Sequence, residues 1–555
     1  MTNSQLTDPS YIRVVSIGGT GMFGMNCLLL ESKTTKLLID CGVMFPADDD
    51  LGVDLITPDF TIIEQDPPKA LLITHAHEDH IGAIPYLLLA LIQHGFHAKL
   101  PIYATDFTIA LIKRRLEEHD LLKYVEFNCA RPKTTKQFGD ITVEFIDVCH
   151  SIPGSLAFAF DTPVGKIVHS GDWRIDNTPM SGAKTNLARF EALGDEGVRL
   201  FLSDSTNVEI DNESITSEHD VFNNIQNYIK QAPGRVFVTL FASNIGRLQS
   251  IIYAAANTGR KLAVCGRSML TNIATARELE YLRIPLNLEI IHEEDINATD
   301  DNLIIIVSGS QGEKNASLFK IAQGEHPRIK LRKTDTLIYS ARQIPGNERR
   351  VNAIINGFYR QGASLVNQPD LTFHSSGHGT QRELELLIEL IAPQIFVPVH
   401  GDHRRLAQHE KLAQRTGEPM ITEIIDEGQC LILYPDHHEI HDGYIPFRRY
   451  VVGKCINGIT SAIMKEKKNL AHQGILVVSG VLNSNDEIVG NLRIHPIGIC
   501  ANDGWMDELE PELYRTISCS AHHGDMEEIV RHKAAKYIKQ AIAKFPVIVV
   551  DFHRI

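Results

Sequence analysis

The stretch Thr74-His75-Ala76-His77-Glu78-Asp79-His80-Ile81-Gly82-Ala83 governs the interpretation of the whole chain. It places three histidines and two carboxylates within six residues, directly after the apolar run Ala70-Leu71-Leu72-Ile73. A strand that ends in such a cluster makes a poor core, because each buried polar group needs a partner. Neutral imidazoles and carboxylates are, however, the ligands that zinc and related divalent ions use in proteins. The stretch therefore predicts a metal site, against the alternative of a polar surface loop that happens to be rich in histidine.

Length and composition limit the class of protein. At 555 residues the chain exceeds what one hydrophobic core supports, so we expect about three domains. No segment approaches the roughly 18 uncharged apolar residues of a membrane helix, and residues 1–13 lack the apolar core of a signal peptide. Nine cysteines without a C-x-x-C pair are typical of free thiols in a reducing compartment. We therefore expect a cytoplasmic protein with no membrane partner.

The charge of the chain is acidic overall and basic in one region. A formal net charge of −15 argues against a protein that coats nucleic acid through its total charge. Residues 313–350 nevertheless hold nine Lys and Arg against four Asp and Glu. Taken alone, such a run is more often a solvated helix face than a binding groove.

Further polar residues follow apolar runs with strand character. Before residue 208 they are Asp40, His150, Asp172 and Asp204. After residue 368 come the loop His374-Ser375-Ser376-Gly377-His378-Gly379 and, behind the run 395–399, His400. Alone, each of these residues would usually be structural. Strand, polar loop and helix in succession is, however, the arrangement in which α/β folds place sites at the carboxyl ends of strands.

The order of the patterns predicts four sequence segments. Residues 208–368 alternate strand and helix patterns without a dense ligand cluster, which is typical of a parallel sheet in a separate domain. This insertion would split one domain into residues 1–207 and 369–450. Residues 451–555 predict a linker and a small α+β domain, with a hairpin over 475–497, a helix over 525–543 and a last strand over 547–551. Paired histidines that lack strand-end carboxylates are expected at the surface: His437, His438, His441, His522 and His523.

The motifs resemble those of a known superfamily. His75-Ala76-His77-Glu78-Asp79-His80 is similar to the H-x-H-x-D-H signature of the metallo-β-lactamases, and Asp40, His150 and Asp172 fall where its other motifs belong. Asp204, His378 and His400 resemble three additional motifs of the β-CASP nucleases. Finer matches resemble the ribonuclease J family: Ser203-Asp204-Ser205-Thr206-Asn207, Phe241-Ala242-Ser243-Asn244, Ser308-Gly309-Ser310-Gln311-Gly312-Glu313, Ile344-Pro345-Gly346-Asn347-Glu348 and Pro398-Val399-His400-Gly401. The implied fold is an α/β metallo-β-lactamase αββα sandwich, split by an inserted β-CASP α/β domain and followed by the small α+β domain.

The resemblance also implies a metal centre and catalytic residues. Two divalent ions are expected, zinc or alternatively manganese. The first would be held by His75, His77 and His150, the second by Asp79, His80 and His400, with Asp172 bridging both. His378 would protonate or stabilise the leaving 3′ oxygen, oriented by Asp204, while Asp40 would hold a ligand or water.

The implied substrate is RNA. Histidine at the position of His400 goes with RNA-directed members of the β-CASP group. The resemblance implies 5′–3′ exonuclease and endonuclease activity on single-stranded, preferentially 5′-monophosphorylated RNA, by metal-activated water attack, in RNA maturation and mRNA decay. The loop residues His374, Ser375, Ser376, Gly377 and Gly379 would bind phosphate through their backbone. Further candidates for RNA contact are Ser243, Asn244, Arg247 and Phe45, and ordinary packing is an equal alternative for Phe45.

Other interpretations stay open at this point. A related metallohydrolase acting on DNA, or on a small ester or lactam, would explain the metal cluster but not His378 and His400 together. A non-catalytic scaffold for RNA is the third possibility. The resemblance further implies a homodimer or homotetramer, with RNA-degradation or ribosome-associated proteins as partners. One departure from the family is Met22-Phe23, where Glu-Ile is usual, so we expect different packing or substrate contacts at that turn with the ligands unaffected.

Overall fold

A computed structural model describes residues 10–46, 50, 52–211, 217–296, 300–344, 346–366, 372–417, 419–453, 460–499, 504–520 and 525–555. Pro345, the domain boundary at Gln368, His522 and His523 lie outside these residues. The chain forms two compact units, residues 1–45 with 56–448 and residues 46–55 with 449–555. No helix in the described ranges combines the length and apolar character that a bilayer span requires.

Two sheets lie at the centre of the first unit. The eight-stranded sheet has the spatial order His438–Asp442, Gln429–Leu433, Ile12–Gly18, Cys27–Ser32, Lys36–Ile39, Ala70–Leu72, Leu100–Ala104 and Val125–Cys129. The seven-stranded sheet has the order Ile421–Thr422, Ile395–Val399, Val198–Asp204, Gly165–His169, Leu156–Thr162, Ile141–Asp147 and Thr135–Phe138. Buried side chains of both sheets form one apolar cluster, which includes Leu30, Ile39, Phe158 and Leu202. The sheets therefore pack face to face.

Helices lie on the outer sides of the sheets. Leu187–Glu196, Gln381–Ile391 and His403–Arg415 share a second cluster with the seven-stranded sheet, through residues such as Phe190, Leu387 and Leu412. Asp106–Glu118 contacts both Ile84–Gln93 and the last strand of the eight-stranded sheet. Because most strands are covered on both faces, they are continuous apolar runs rather than alternating ones. The predicted αββα sandwich is confirmed.

The chain leaves the sandwich after Val198–Asp204 and returns beside the same strand. Ile395–Val399 pairs with it in parallel, with Leu200 opposite Ile395 and Asp204 opposite Val399. Residues nearly 200 positions apart in the sequence are thereby neighbours at one strand end. The two sequence halves consequently build one sheet, as the prediction of an insertion requires.

The inserted segment has its own sheet of six parallel strands. Their order is Ile290–Ile291, Lys261–Cys265, Leu303–Val307, Val236–Thr239, Thr336–Tyr339 and Ser364–Leu365. Glu218–Gln231 precedes the first of these strands in the chain, and the helices between the strands are Ile245–Thr258, Arg267–Glu278, Ser317–Ala322 and Glu348–Arg360. Every residue of Leu303–Val307 is buried, as expected for a central parallel strand. The inserted α/β domain is confirmed, while its exact boundaries at residues 208 and 368 stay a prediction.

The second unit contains a three-stranded sheet in the order Arg493–Ile497, Ile475–Leu482 and Val547–Arg554. The first two strands form the predicted antiparallel hairpin, and the last strand runs parallel to Ile475–Leu482. Trp505–Ser520 and Met526–Ile542 pack on one face through Leu509, Val530 and Ile538. The remaining helix is Ser461–Gln473. This unit has the small α+β architecture that the sequence predicts.

Short elements complete the description. The strands are Thr20–Gly21, Leu55–Thr57, Gly401–Asp402 and Arg449–Val451. The helices are Thr61–Glu64, Glu78–Ile81 and the 3₁₀ turns Leu122–Tyr124 and Glu293–Asp295. Thr20–Gly21 pairs with Gly401–Asp402, which joins the first glycine-rich turn to the residues after His400.

A buried ion pair at the amino ends of two strands in the insertion provides a test of this fold. Arg235 donates from Nε and Nη2 to Asp335 at 3.0 and 2.6 Å, and both residues are buried. Asp335→Ala leaves the guanidinium buried without its counter-charge, so we expect a loss of about 3–5 kcal/mol in the free energy of unfolding. The measurement is urea denaturation. Asp66→Ala, which removes an exposed partner of Lys36, should cost less than about 1 kcal/mol. Equal shifts in the two variants would contradict this account of the insertion.

Candidate metal centre

The His-rich decapeptide forms a tight connection between the strand Ala70–Leu72 and the helix Glu78–Ile81. Backbone hydrogen bonds hold it against the preceding strands: Asn26 N donates to Asp79 O at 3.0 Å, and Cys41 N donates to His80 O at 2.7 Å. Gly42 permits this approach, because a Cβ there would lie 1.6 Å from Asp79 O. The backbone that carries the ligand side chains is consequently fixed on the edge of the core.

Three imidazoles converge beside this loop. His77 Nδ1 lies 2.9 Å from His75 Nε2 and 3.1 Å from His150 Nε2, although His150 comes from the other sheet. A tetrahedral ion with metal–nitrogen distances of about 2.0–2.1 Å separates its ligand atoms by about 3.3 Å. The three nitrogens therefore have the spacing of one metal-binding face. This is the predicted first ligand set.

Hydrogen bonds on the far side of each ring determine which nitrogen faces the cluster. His150 Nδ1 donates to Gly377 O at 2.6 Å, and His75 Nδ1 lies 3.0 Å from Thr74 Oγ1. With Nδ1 protonated, the Nε2 atoms of both rings carry the lone pair that a metal requires. The carbonyl of Gly377 thus orients the ring of His150, and the predicted binding of phosphate by the backbone of Gly377 stays a prediction.

A second donor group lies next to the first. Asp79 Oδ2 is 3.3 Å from His400 Nε2 and 3.6 Å from His80 Nε2. Asp40 Oδ2 accepts from His80 Nδ1 at 2.7 Å, and both Asp40 oxygens accept from Thr74. Asp40 thereby holds the ring of His80 with Nε2 directed at Asp79. The structure brings together the predicted second ligand set, with Asp40 behind it.

Asp172 lies between the two groups. Its Oδ2 is 3.7 Å from His75 Nε2, 3.9 Å from His150 Nε2 and 3.3 Å from His80 Nε2. Its Oδ1 is 3.1 Å from His400 Nδ1. The side chain is 3% exposed. One carboxylate thus contacts members of both groups, as a bridging ligand would.

The electrostatics of the cluster fit divalent metal ions. Burial lowers the pKa of His75 and His150 well below its usual value and that of His77 to about 4, so these rings are neutral. Burial would also lower the pKa of His80, but the carboxylates of Asp172, Asp79 and Asp40 raise it to about 10. The carboxylates around His80 therefore stabilise a positive charge at this position. Neutral imidazoles beside buried carboxylates that stabilise a positive charge suit a divalent cation, so divalent metal use follows from the donor chemistry.

His378 forms a separate pair with Asp204. His378 Nδ1 lies 2.8 Å from Asp204 Oδ2, and Thr206 Oγ1 donates to Asp204 Oδ1 at 2.7 Å. Burial would raise the pKa of Asp204, but the charge of His378 and its hydrogen bond hold it below the usual range. The His378 side chain is 19% exposed, more than those of His75, His80, His150 and His400, and its Nδ1 is 3.8 Å from Asp172 Oδ2. A partly accessible histidine oriented by a carboxylate can act as a general acid.

Four family models match successive parts of the chain. They are the metallo-β-lactamase superfamily over residues 20–184, the ribonuclease J β-CASP domain over 233–358, the Zn-dependent metallo-hydrolase RNA specificity domain over 372–422 and the ribonuclease J C-terminal domain over 462–555. Ribonuclease J 1 of Streptococcus pyogenes is 38% identical, covering 88% of this chain and 86% of the relative. Ribonuclease J of Mycolicibacterium smegmatis is 34% identical, and the match covers 98% of this chain and 97% of that relative. The chain belongs to the ribonuclease J family.

This membership confirms the predicted family and enzyme class. A solved structure supports the fold alone: a protein of unknown function from Enterococcus faecalis V583 superposes with a TM-score of 0.55 at 16% identity. It covers 76% of this chain and 100% of its own length. The RNA specificity model spans both His378 and His400, the two residues that follow the insertion.

Two predicted RNA contacts have other partners in the structure. Arg247 is fully buried, and it donates from Nε and Nη2 to Glu218 at 3.0 and 2.9 Å. Asn244 is 3% exposed, and its side-chain oxygen accepts from Arg247 N at the start of a helix. The expectation that these two side chains reach RNA is therefore corrected, because both are enclosed by protein. Ser243 is partly exposed and Phe45 is 62% exposed, so both stay candidates.

The predicted phosphate-binding loop is held from both sides. Arg174 Nη1 donates to Ser375 Oγ and to Ser376 O, and Asn207 Nδ2 donates to Ser376 Oγ at 2.7 Å. His374 is also in this loop, where burial and the charge of Arg247 lower its pKa to about 3. Gly379 is buried. The phosphate-binding role of the loop stays a prediction.

Sequence reasoning missed several residues that position the ligands. Asn26 Nδ2 lies 3.0 Å from His80 Nε2 and 3.4 Å from Asp79 Oδ2. Thr74 connects Asp40 to His75, and Arg174 and Asn207 hold the His378 loop. Thr74 and Asn207 belong to quoted motifs and Arg174 lies two residues after Asp172, and that proximity was the available signal for these three. Their types, amide, hydroxyl and guanidinium, carry no ligand signature of their own.

The hydrogen bond from His80 to Asp40 provides a test. Asp40→Asn leaves the side chain in place but removes the charge that orients His80 Nδ1. We expect the affinity for divalent metal to fall about 10- to 100-fold. The measurement is metal content after dialysis against a graded chelator. Asp140→Asn is the matched control, because Asp140 is an exposed carboxylate that accepts hydrogen bonds from the hydroxyls of Ser32 and Thr34. This variant should bind metal as the wild-type protein does. An Asp40→Asn protein that retains metal equally well would refute the positioning role.

Proposed function

We propose that the chain is a metal-dependent ribonuclease with 5′–3′ exonuclease and endonuclease activity on single-stranded RNA. The observation that carries the proposal is the His378–Asp204 pair standing beside Asp172, where both donor groups meet. A metal-binding scaffold has no need of a partly exposed histidine oriented by a buried carboxylate at that point. The relatives are named ribonucleases, and the matched RNA specificity model supports RNA rather than DNA as substrate.

We assign the donors as two ion sites, with zinc as the expected ion and manganese as the alternative. The imidazoles of His75, His77 and His150 would hold one ion, and Asp79, His80 and His400 the other, with Asp172 shared. Bound there, divalent ions supply Lewis acidity and an activated water for in-line attack on a phosphodiester. The chain's own contribution is to keep the ligand rings in the required tautomers through Asp40, Thr74 and Gly377.

The protein also supplies the proton for the leaving oxygen. Since His378 Nδ1 is engaged by Asp204, the transferable proton is the one on Nε2. The carboxylate of Asp204 stabilises the imidazolium form that precedes transfer, and Thr206 holds that carboxylate in place. Ser376 and Asn207 fix the backbone of His378, so the ring is positioned before the substrate arrives.

The remaining predictions form the wider setting of the proposal. We propose domain boundaries at residues 207/208, 368/369 and 450/451, which is supported by family-model matches that cross none of them. Preference for 5′-monophosphorylated ends, a homodimeric or homotetrameric state, RNA-degradation or ribosome-associated partners and a cytoplasmic location are part of the same proposal. RNA maturation and mRNA decay are the processes that it implies.

Removal of a proposed ligand tests the reaction and its substrate together. His77→Ala should abolish cleavage of RNA oligomers, with an unchanged circular dichroism spectrum, because one metal-binding face is lost. The matched control is His437→Ala, because His437 belongs to the same domain and is 52% exposed. This variant should behave as wild type. The assay uses matched RNA and DNA oligomers that carry a 5′ phosphate, triphosphate or hydroxyl. Products sampled over time show which nucleic acid is cleaved, in which direction, and whether cleavage starts at an end or internally. Preferential DNA cleavage by the wild-type protein, or binding without cleavage, would overturn the proposal.

Removal of the proposed general acid should separate chemistry from metal binding. His378→Ala is expected to reduce kcat about 10²- to 10⁴-fold with metal content preserved. The competing assignment is that His378 is a ligand, since a donor atom of His378 lies within 4.8 Å of those of Asp172, Asp204 and His400. Metal analysis beside single-turnover kinetics distinguishes the two. Loss of metal in this variant would show that His378 is a ligand.

A further inference from the structure

The side-chain amide of Asn207 connects an arginine of the insertion to the His378 loop. Asn207 Nδ2 donates to Ser376 Oγ at 2.7 Å and to His378 O at 2.9 Å. Asn207 Oδ1 accepts from Arg342 Nη1. Because these donor and acceptor groups belong to one rigid amide, the position of the guanidinium and that of the His378 backbone are mechanically linked. Asn207 itself is buried.

Arg342 lies at the carboxyl end of a strand in the parallel sheet of the insertion. It follows Thr336–Tyr339, and Gln311 fixes its backbone: Gln311 Nε2 donates to Arg342 O at 3.0 Å, and Gln311 Oε1 accepts from Ile344 N at 2.9 Å. Parallel α/β sheets bind their ligands at the carboxyl ends of the strands. Arg342 is an exposed residue, so part of its side chain is open to solvent although its Nη1 contacts Asn207.

The charges around Arg342 favour an anion. Partial burial and the positive charge of Arg405 lower the pKa of Arg342, whereas Glu209 raises it. Glu209 is already shared by two other guanidinium groups, with Arg404 at 3.0 Å and Arg405 at 2.9 Å. No carboxylate in the described part of the chain forms an ion pair with Arg342. A protein of net charge −15 thus presents a guanidinium that Asn207 connects to the backbone of the candidate catalytic histidine.

We propose that Arg342 binds a backbone phosphate of the RNA other than the scissile one, and that Asn207 is the positioning residue that couples this contact to His378. The inference rests on the proposed function. A guanidinium pairs with phosphate through parallel N–H groups, which Lys cannot reproduce. Occupation of Arg342 by phosphate would fix the amide of Asn207 and with it the carbonyl of His378. The site would consequently favour a polynucleotide over a small phosphodiester.

The basic run of residues 313–350 supplies a matched control. Lys333 belongs to the same run, but it is exposed and precedes Thr336–Tyr339, at the opposite end of the strand from Arg342. Lys333→Gln removes one positive charge without touching the Gln311, Asn207 or His378 contacts. If only the total charge matters, Lys333→Gln and Arg342→Gln should weaken RNA binding equally. If Arg342 forms a specific phosphate site, only the Arg342 variants should weaken it.

The experiment compares a 5′-phosphorylated RNA oligomer with bis(p-nitrophenyl) phosphate, which contains only one phosphate. Arg342→Gln should lower kcat/KM for RNA about 10- to 100-fold, mainly through KM. The slope of log(1/KM) against log salt should become about 0.7 less negative, the contribution of one phosphate on a single strand. The loss on the small diester should be clearly smaller. Arg342→Lys should retain the salt slope and recover only part of the affinity, and Lys333→Gln should match wild type.

Asn207→Ala tests the coupling itself. It should lower kcat on both substrates, because the His378 loop loses two hydrogen bonds, and it should leave the salt slope for RNA unchanged. Arg342→Gln with a wild-type KM and salt slope would overturn the inference, and so would equal losses on RNA and the small diester. Failure of the wild-type protein to cleave RNA would instead overturn the proposed function, so the two failures are distinguishable.

Discussion

The architecture depends on one buried carboxylate, Asp172. Five imidazoles from three separate parts of the chain lie within 3.9 Å of its oxygens: His75 and His80, His150, and His378 and His400. A lone buried carboxylate would be costly, and this one is stable only if the strand ends that surround it are held in register. The parallel pairing of Val198–Asp204 with Ile395–Val399 achieves this, because it brings His400 next to Asp172 across the whole insertion. The sandwich is therefore the scaffold of the site.

The insertion reaches the same site through a buried ionic network. Arg247 of the insertion pairs with Glu218 and donates to Phe373 O at 2.8 Å, while Ser375 Oγ lies 3.4 Å from Glu218 Oε1. On the other side, Arg174 follows Asp172 closely in sequence and donates to Ser376 O at 2.8 Å. Breaking one member would leave its partner buried and unpaired, which costs more than the pair contributes. The loop before His378 is consequently held by both domains at once.

The sequence indicated which donor residues the fold brings together, but it did not indicate most of the contacts around them, for a physical reason. His75, His77, Asp79 and His80 form a dense local cluster whose chemistry has few other uses. Arg247 was misassigned because an arginine in a motif can contact either RNA or a buried carboxylate. Its carboxylate partner, Glu218, lies 29 positions away in the sequence, so the pair is not visible as a local pattern. The carbonyl of Gly377, which orients His150, has no signature in any side chain. Only the fold shows which polar groups satisfy one another.

The turn that contains the departure Met22-Phe23 contacts the segment around His400. The Phe23 ring lies 4.7 Å from the Arg405 guanidinium carbon, and Arg405 is held by Asp402 and Glu209. Met22 forms a bridge with Gly401, directly after His400, whose own amide donates to Gly19 O at 3.0 Å. Such a cation–π contact contributes about 0.5–2 kcal/mol, more when water is excluded, and Arg405 is 7% exposed. Apolar and aromatic side chains at this turn therefore pack against the segment that carries His400, and they do so without replacing any ligand. The first glycine-rich turn can vary in sequence because its contribution to the site is made by backbone pairing and by Asn26, which the variation leaves intact.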